Sequence, residues 1–130
     1  MIIDITNEVL TYVQTNYPTM NLLSTYPSTT PVFPCVVMEE MTNNQLKETV
    51  DSDGEHHSDV MIQVDIFTQG DRKISDAKAI RKQIDDIMSG YYKMGRTYSG
   101  ITPNFLDTNI YRYTLRYSFI VSENKVIYRG

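Results

Sequence analysis

The side chains able to do chemistry in this chain gather in a few places, each incomplete for the reaction it would serve. His56 and His57 sit among Asp53, Glu55 and Asp59, all ligand types for a divalent metal. Neighbouring residues of an extended chain point to opposite sides, and no second histidine pair or cysteine cluster supplies the rest of a tetrahedral set. The run from Asp51 to Glu55 has the look of a calcium loop of the EF-hand type. It lacks a third early ligand before Gly54, however, and its twelfth position is Ile62 instead of a bidentate glutamate. Cys35 with either histidine would make a thiol nucleophile and its base, a pairing that needs contact in space. At the head of an apolar stretch, Cys35 is expected to be a buried, inert thiol. Glu39-Glu40 and Asp85-Asp86 are adjacent acids suited to a solvated face, whereas acid–base catalysis needs acids converging in a pocket. With no glycine-rich phosphate loop either, the expectation is a non-enzyme with no catalytic residue, no metal and no cofactor.

The totals bound what such a chain can be. At 130 residues it fits a single domain, residues 1–130, with one core. A net charge of −4 argues against a dedicated nucleic-acid binder, whose affinity rests on clustered Lys and Arg. Ten tyrosines and no tryptophan supply most of the aromatic mass, and tyrosine suits half-buried sites where the ring packs and the hydroxyl finds a polar partner. The lone Cys35 allows no internal disulfide and fits a reducing, cytoplasmic place of synthesis. The start, Met-Ile-Ile-Asp-Ile-Thr, has no basic segment, and no apolar run approaches the roughly 18 residues of a membrane span.

The elements that would position these residues follow from periodicity. Ile5, Val9, Leu10 and Val13 form one stripe of a helix from Asp4 or Thr6 to Asn16, capped by a short polar residue and stopped before Pro18. From Tyr17 to Pro34, the prolines, serines and threonines read as an ordered irregular loop. A strand from Cys35 to about Met41 follows. Thr42 to His57 then forms a long polar, acidic loop over residues 42–57, with Asp53-Gly54 as a turn signal. In the strand Ser58 to Thr68, Val60, Ile62, Val64 and Ile66 face the core. A second helix runs from Ile74 to Ser89 on a stripe of Ile74, Ala77, Ile80, Ile84, Ile87 and Met88, with Gly90 as a left-handed stop. Tyr91 to Thr97 reads as a third strand and Gly100 to Asn109 as a loop. Val126 to Tyr128 would add a short terminal strand.

The clearest element is Ile110 to Ser122, where Tyr111, Tyr113, Leu115, Tyr117, Phe119 and Val121 alternate with Arg112, Thr114, Arg116 and Ser118. Alternation places the aromatic set on one face and the arginines on the other. An RNA-recognition sheet would show both on one open face, so the tyrosines are expected in the core and the arginines on a surface or interface. On this reading Phe119→Ala costs about 3 to 5 kcal/mol and Thr114→Ala under about 1. The order α-β-β-α-β-β predicts an α+β fold, a mostly antiparallel sheet of about four strands with two helices on one face.

Taken in order, Pro31-Val32-Phe33-Pro34-Cys35-Val36-Val37, the strand from Asp59 to Phe67, the helix around Ala77, Ile80 and Ile84 ending at Gly90-Tyr91-Tyr92, and Arg112 to Tyr117 resemble a known family. That family is the small tail-completion or tail-terminator proteins of long-tailed bacteriophages and related tail-like particles. The resemblance spans about Pro31 to Val121 and is one of pattern and order. It implies a virion structural protein at the tail–neck junction, assembled in the host cytoplasm as a homo-oligomeric ring, usually of six copies. Such a ring caps the tail-tube protein and receives the neck or head-completion protein, with no membrane involved. DNA would pass through the lumen without specific binding, which an acidic protein suits. Another ring-forming neck or tail-tube component is the alternative, and a small nucleic-acid-binding module using Arg112 and Arg116 the second. Candidate subunit-interface residues are Arg112 and Arg116 on the open face, set against the acids Glu48, Asp51, Asp53, Glu55 and Asp85.

Overall fold

The computed structural model describes residues 3–25, 32–46, 56–103 and 109–129. Its elements are α1 (Thr6–Asn16), β1 (Leu22–Leu23), β2 (Cys35–Gln45), β3 (His57–Gln69), α2 (Lys73–Asp85) running into a π-helical turn (Asp86–Tyr91), β4 (Gly95–Thr102), β5 (Ile110–Ser122) and β6 (Ile127–Arg129). The fold is α+β. A six-stranded sheet has the order β1-β2-β3-β5-β4, with β6 beside β5. Every strand pair is antiparallel except β1 with β2.

One face of the sheet carries the core. Val36 and Met38 of β2, Val60, Ile62, Val64 and Ile66 of β3, and Tyr113, Leu115, Tyr117, Phe119 and Val121 of β5 pack against Ile5, Val9 and Val13 of α1 and Ala77, Ile84, Ile87 and Met88 of the second helix and its turn. The period-two strands and the helical steps of three and four thus meet on a single surface. A smaller cluster of Cys35, Val37 and Phe67 lies on the other face, with Leu23, Phe33 and Ile110 against it.

Several boundaries differ from the sequence reading. The residue capping α1 is Ile5, which makes no side-chain cap bond. The hydroxyl of Thr6 donates instead to Glu40 across to β2 (2.9 Å). Leu22–Leu23 forms a parallel strand inside the presumed irregular loop. β2 continues through a bulge to Gln45, so the first residues of the presumed 42–57 loop are in the ladder, with Asn43 opposite Val60. Ile74, assigned to the core stripe, is 50% exposed.

The second helix does not stop at Gly90. It widens into a π turn, where the Tyr92 N–H reaches back five residues to the Ile87 carbonyl (2.9 Å). The left-handed backbone falls at Lys93 (φ 61°). Tyr91 therefore ends a helix, and the third predicted strand begins at Gly95 and extends to Thr102.

Candidate interaction surface on the open face of the sheet

The face turned away from the helices holds a connected set of polar side chains built by the register of β3, β4 and β5. Asp65 pairs with Thr114 and Gln63 with Arg116 across β3 and β5. Asp65 is 4% exposed. A carboxylate this buried needs donors, because an unpaired charge away from water is very costly. Its Oδ1 accepts from Arg112 Nε (3.0 Å) and from the Thr114 hydroxyl (2.6 Å), and its Oδ2 accepts from the Gln63 amide (2.9 Å). Thr114 is joined in turn to Thr102 on β4 (2.6 Å). The Gln63 carbonyl oxygen accepts from Arg116 Nε (2.9 Å). Each arginine also covers a ring, Arg112 that of Phe67 at 5.5 Å and Arg116 that of Tyr98 at 5.2 Å.

Both arginines lie on the open face, as their alternation with the tyrosines predicts. Their partners, however, are inside the sheet. Of the acids set against them, Asp85 lies on the helix side. It accepts from the Tyr117 hydroxyl (2.8 Å) and from Ser89 (3.1 Å), and it pairs with Arg96 (3.1 Å). The fold does not bring Asp85 to Arg112 or Arg116. Glu48, Asp51, Asp53 and Glu55 lie outside the described residues. The residues that sequence reasoning missed are Asp65, Gln63, Thr102 and Tyr98. Alternation placed Asp65 and Gln63 on this face, but only the β3–β5 register, which joins positions 47 to 53 apart, reveals their partners.

Two phenols on the core side respond to their surroundings in opposite directions. Burial, then the hydrogen bond and negative charge of Asp85, push the Tyr117 phenol above its ordinary value. Burial also acts to raise that of Tyr113. There it is outweighed by hydrogen bonds with Ser99 and Arg81 and by the positive charges of Arg81 and Arg96, so the Tyr113 phenol is lowered. Both tyrosines tie β5 to neighbouring elements. Cys35 is fully buried, and burial pushes its thiol up to about 11, away from the thiolate that nucleophilic chemistry needs. Among the described residues no group of three or more His, Cys, Asp or Glu could hold a metal ion, and no helix is long and apolar enough to cross a membrane.

The sheet also has two unlike edges. β1 covers only Val36 and Val37 of β2, and among the described residues no strand pairs with the outer side of residues 38–45. On the opposite side, β4 lies along residues 112–118 of β5 and β6 along 119–121, so the two form one composite edge. The charged residues of β2 are Glu39 and Glu40, and that of β4 is Arg96. No protein-family model matches the chain, and no curated protein matches it.

Proposed function

We propose that the protein is a structural assembly subunit that forms a ring and terminates the tail of a phage or tail-like particle, as the resemblance of residues 31–121 implies. The observation that best supports this reading is the pair of unlike sheet edges. An unpaired strand edge is a template for another strand, and a contact between two different edges of identical subunits repeats head to tail. With a closing rotation it gives a ring. Glu39 and Glu40 of β2 set against the half-exposed Arg96 of β4 give that contact a direction. The ring, most simply of six copies, would cap the tail-tube protein on one side and receive the neck or head-completion protein on the other. DNA would pass through its lumen without specific binding. The pairing of Arg112 with the Asp65 carboxylate weighs against a phosphate-binding face, since that guanidinium charge is already balanced inside the sheet.

Light scattering and electron microscopy of the concentrated protein, alone and with tail-tube protein, provide the test. Closed rings that stop tube growth are expected. A persistent monomer that leaves tube ends growing would overturn the reading, and rings that ignore tube ends would point to a neck component instead.

A further inference from the structure

A second surface, between α1 and the end of the π turn, carries an inference that does not rest on ring assembly. Tyr12 of α1 meets Tyr91 and Tyr92 at the end of the π turn. Ring centroids are 4.2 Å apart for Tyr12 and Tyr91, 5.6 Å for Tyr12 and Tyr92, and 4.9 Å for Tyr91 and Tyr92. Tyr91 closes the π turn and Tyr92 caps it, its N–H bonded to the Ile87 carbonyl, so both rings reach α1 from the same turn. Tyr91 is left 60% exposed. With Asn7, Glu8 and Thr11 the three rings line an open groove of about 540 Å³.

Glu8 is the one formal charge in α1. Its field reaches the rings, since after burial it is the next cause pushing the Tyr92 phenol up to about 12. A groove lined by three tyrosine rings and a carboxylate favours a cation, and a planar one above all. A guanidinium stacks on a ring and pairs with a carboxylate at once, and it gives up water more readily than an ammonium does. The chain already uses this contact, with Arg81, Arg112 and Arg116 over Tyr113, Phe67 and Tyr98 at 5.1 to 5.5 Å. Among the described residues, no arginine lies over Tyr12, Tyr91 or Tyr92. Among the described residues Glu8 pairs with Lys125, at 3.4 Å with both side chains 53% exposed, a pair loose enough to be displaced.

We propose that the groove of Tyr12, Tyr91, Tyr92 and Glu8 is a docking site for an arginine side chain of a partner protein. The probe is the tripeptide acetyl-Gly-Arg-Gly-amide, with its citrulline analogue as a neutral isostere, titrated while the tyrosine ring resonances are followed by NMR. The arginine peptide should produce saturable shifts confined to these rings, with millimolar affinity. The citrulline peptide should bind about fivefold more weakly or worse, the equivalent of about 1 kcal/mol.

Glu8→Gln should weaken the arginine peptide by a similar factor. Lys125→Asn, which removes the competing cation and suits the left-handed backbone there (φ 63°), should tighten it about twofold to threefold. Tyr91→Ala, on a side chain 60% exposed, should abolish the shifts at Tyr12 and Tyr92, with circular dichroism reading whether the fold is kept. Equal binding of the two peptides, shifts that do not saturate, or full binding by Tyr91→Ala would overturn the proposal.

Discussion

The hydroxyl of Tyr117 donates a 2.8 Å hydrogen bond to Oδ1 of Asp85, tying the middle of β5 to the residue at which α2 gives way to the π turn. Tyr117 is fully buried and Asp85 also holds Arg96 and Ser89, so one carboxylate fixes the strand, the helix end and the first residues of β4 together. Removing either partner should have unequal cost. Tyr117→Phe leaves Asp85 with its other donors and should cost about 1 kcal/mol. Asp85→Ala strands a buried phenol and frees Arg96, and should cost about 2 to 3 kcal/mol. Urea denaturation of the two variants checks the order, and equal losses would mean that the bond does not anchor the turn.

The open face reverses one sequence-based expectation. Alternation alone predicts that Thr114 tolerates alanine, because it faces away from the helices. Yet it is 2% exposed and donates to the buried Asp65 carboxylate. Thr114→Ala should therefore cost about 1 to 3 kcal/mol, since a buried acceptor loses a donor. Thr114→Ser, which keeps the hydroxyl, should cost under about 1 kcal/mol. Phe119→Ala, in the core, should still cost about 3 to 5 kcal/mol. Chemical denaturation of the three variants ranks them, and a serine variant as unstable as the alanine variant would assign the role of Thr114 to packing.

Cys35 makes the alkaline limb of stability a measurable property. Its thiol ordinarily loses its proton near 9.0, and in the folded chain burial holds it to about 11. A group whose pKa is raised by folding stabilises the fold fully below its unfolded value and loses that contribution as pH climbs toward the folded value. Stability should thus begin to fall near pH 9, before the tyrosines, ordinarily near 10.0, add their own share. Cys35→Ala should flatten the first part of that decline and leave the part owed to Tyr92 and Tyr117. Urea midpoints against pH for the two proteins read this directly, and a thiol reagent should react with the native protein only as fast as it unfolds.

What could be read from the sequence depended on whether side chains record the element. Ile110 to Ser122 matches β5 residue for residue because its apolar residues alternate along the whole length and one face is buried. The core sides of β3 and α1 follow for the same reason. β1 is two leucines, too short for a period, and residues 42–45 of β2 are Thr-Asn-Asn-Gln, which pair through backbone that no side chain announces. Gly90 reads as a helix stop on propensity, but the i−5 bond from Tyr92 carries the helix past it. The candidate site was half legible: alternation put Arg112 and Arg116 on the open face, while their partners Asp65 and Gln63 depend on a strand register that one sequence does not state.

The composite edge of β4 and β6 provides the sharpest test of how subunits would join. Ile101 is 59% exposed on β4, opposite Tyr113, with no strand beyond it among the described residues. An exposed apolar side chain on an unpaired edge is what natural sheets usually blunt with lysine, so its retention fits an edge that is covered in the assembled state. Ile101→Lys removes little buried surface and should leave monomer stability within about 0.5 kcal/mol. In the head-to-tail contact proposed above, the same change would bury an ammonium among strands and should abolish ring formation at concentrations where the unaltered protein assembles. Val126→Lys, on a residue 48% exposed just before β6, should weaken assembly in the same sense if both parts of the edge are used. Light scattering gives the oligomeric state and circular dichroism the integrity of the fold. Rings formed normally by the folded Ile101→Lys variant would exclude the β4 edge from the contact and leave ring formation to another surface of the subunit.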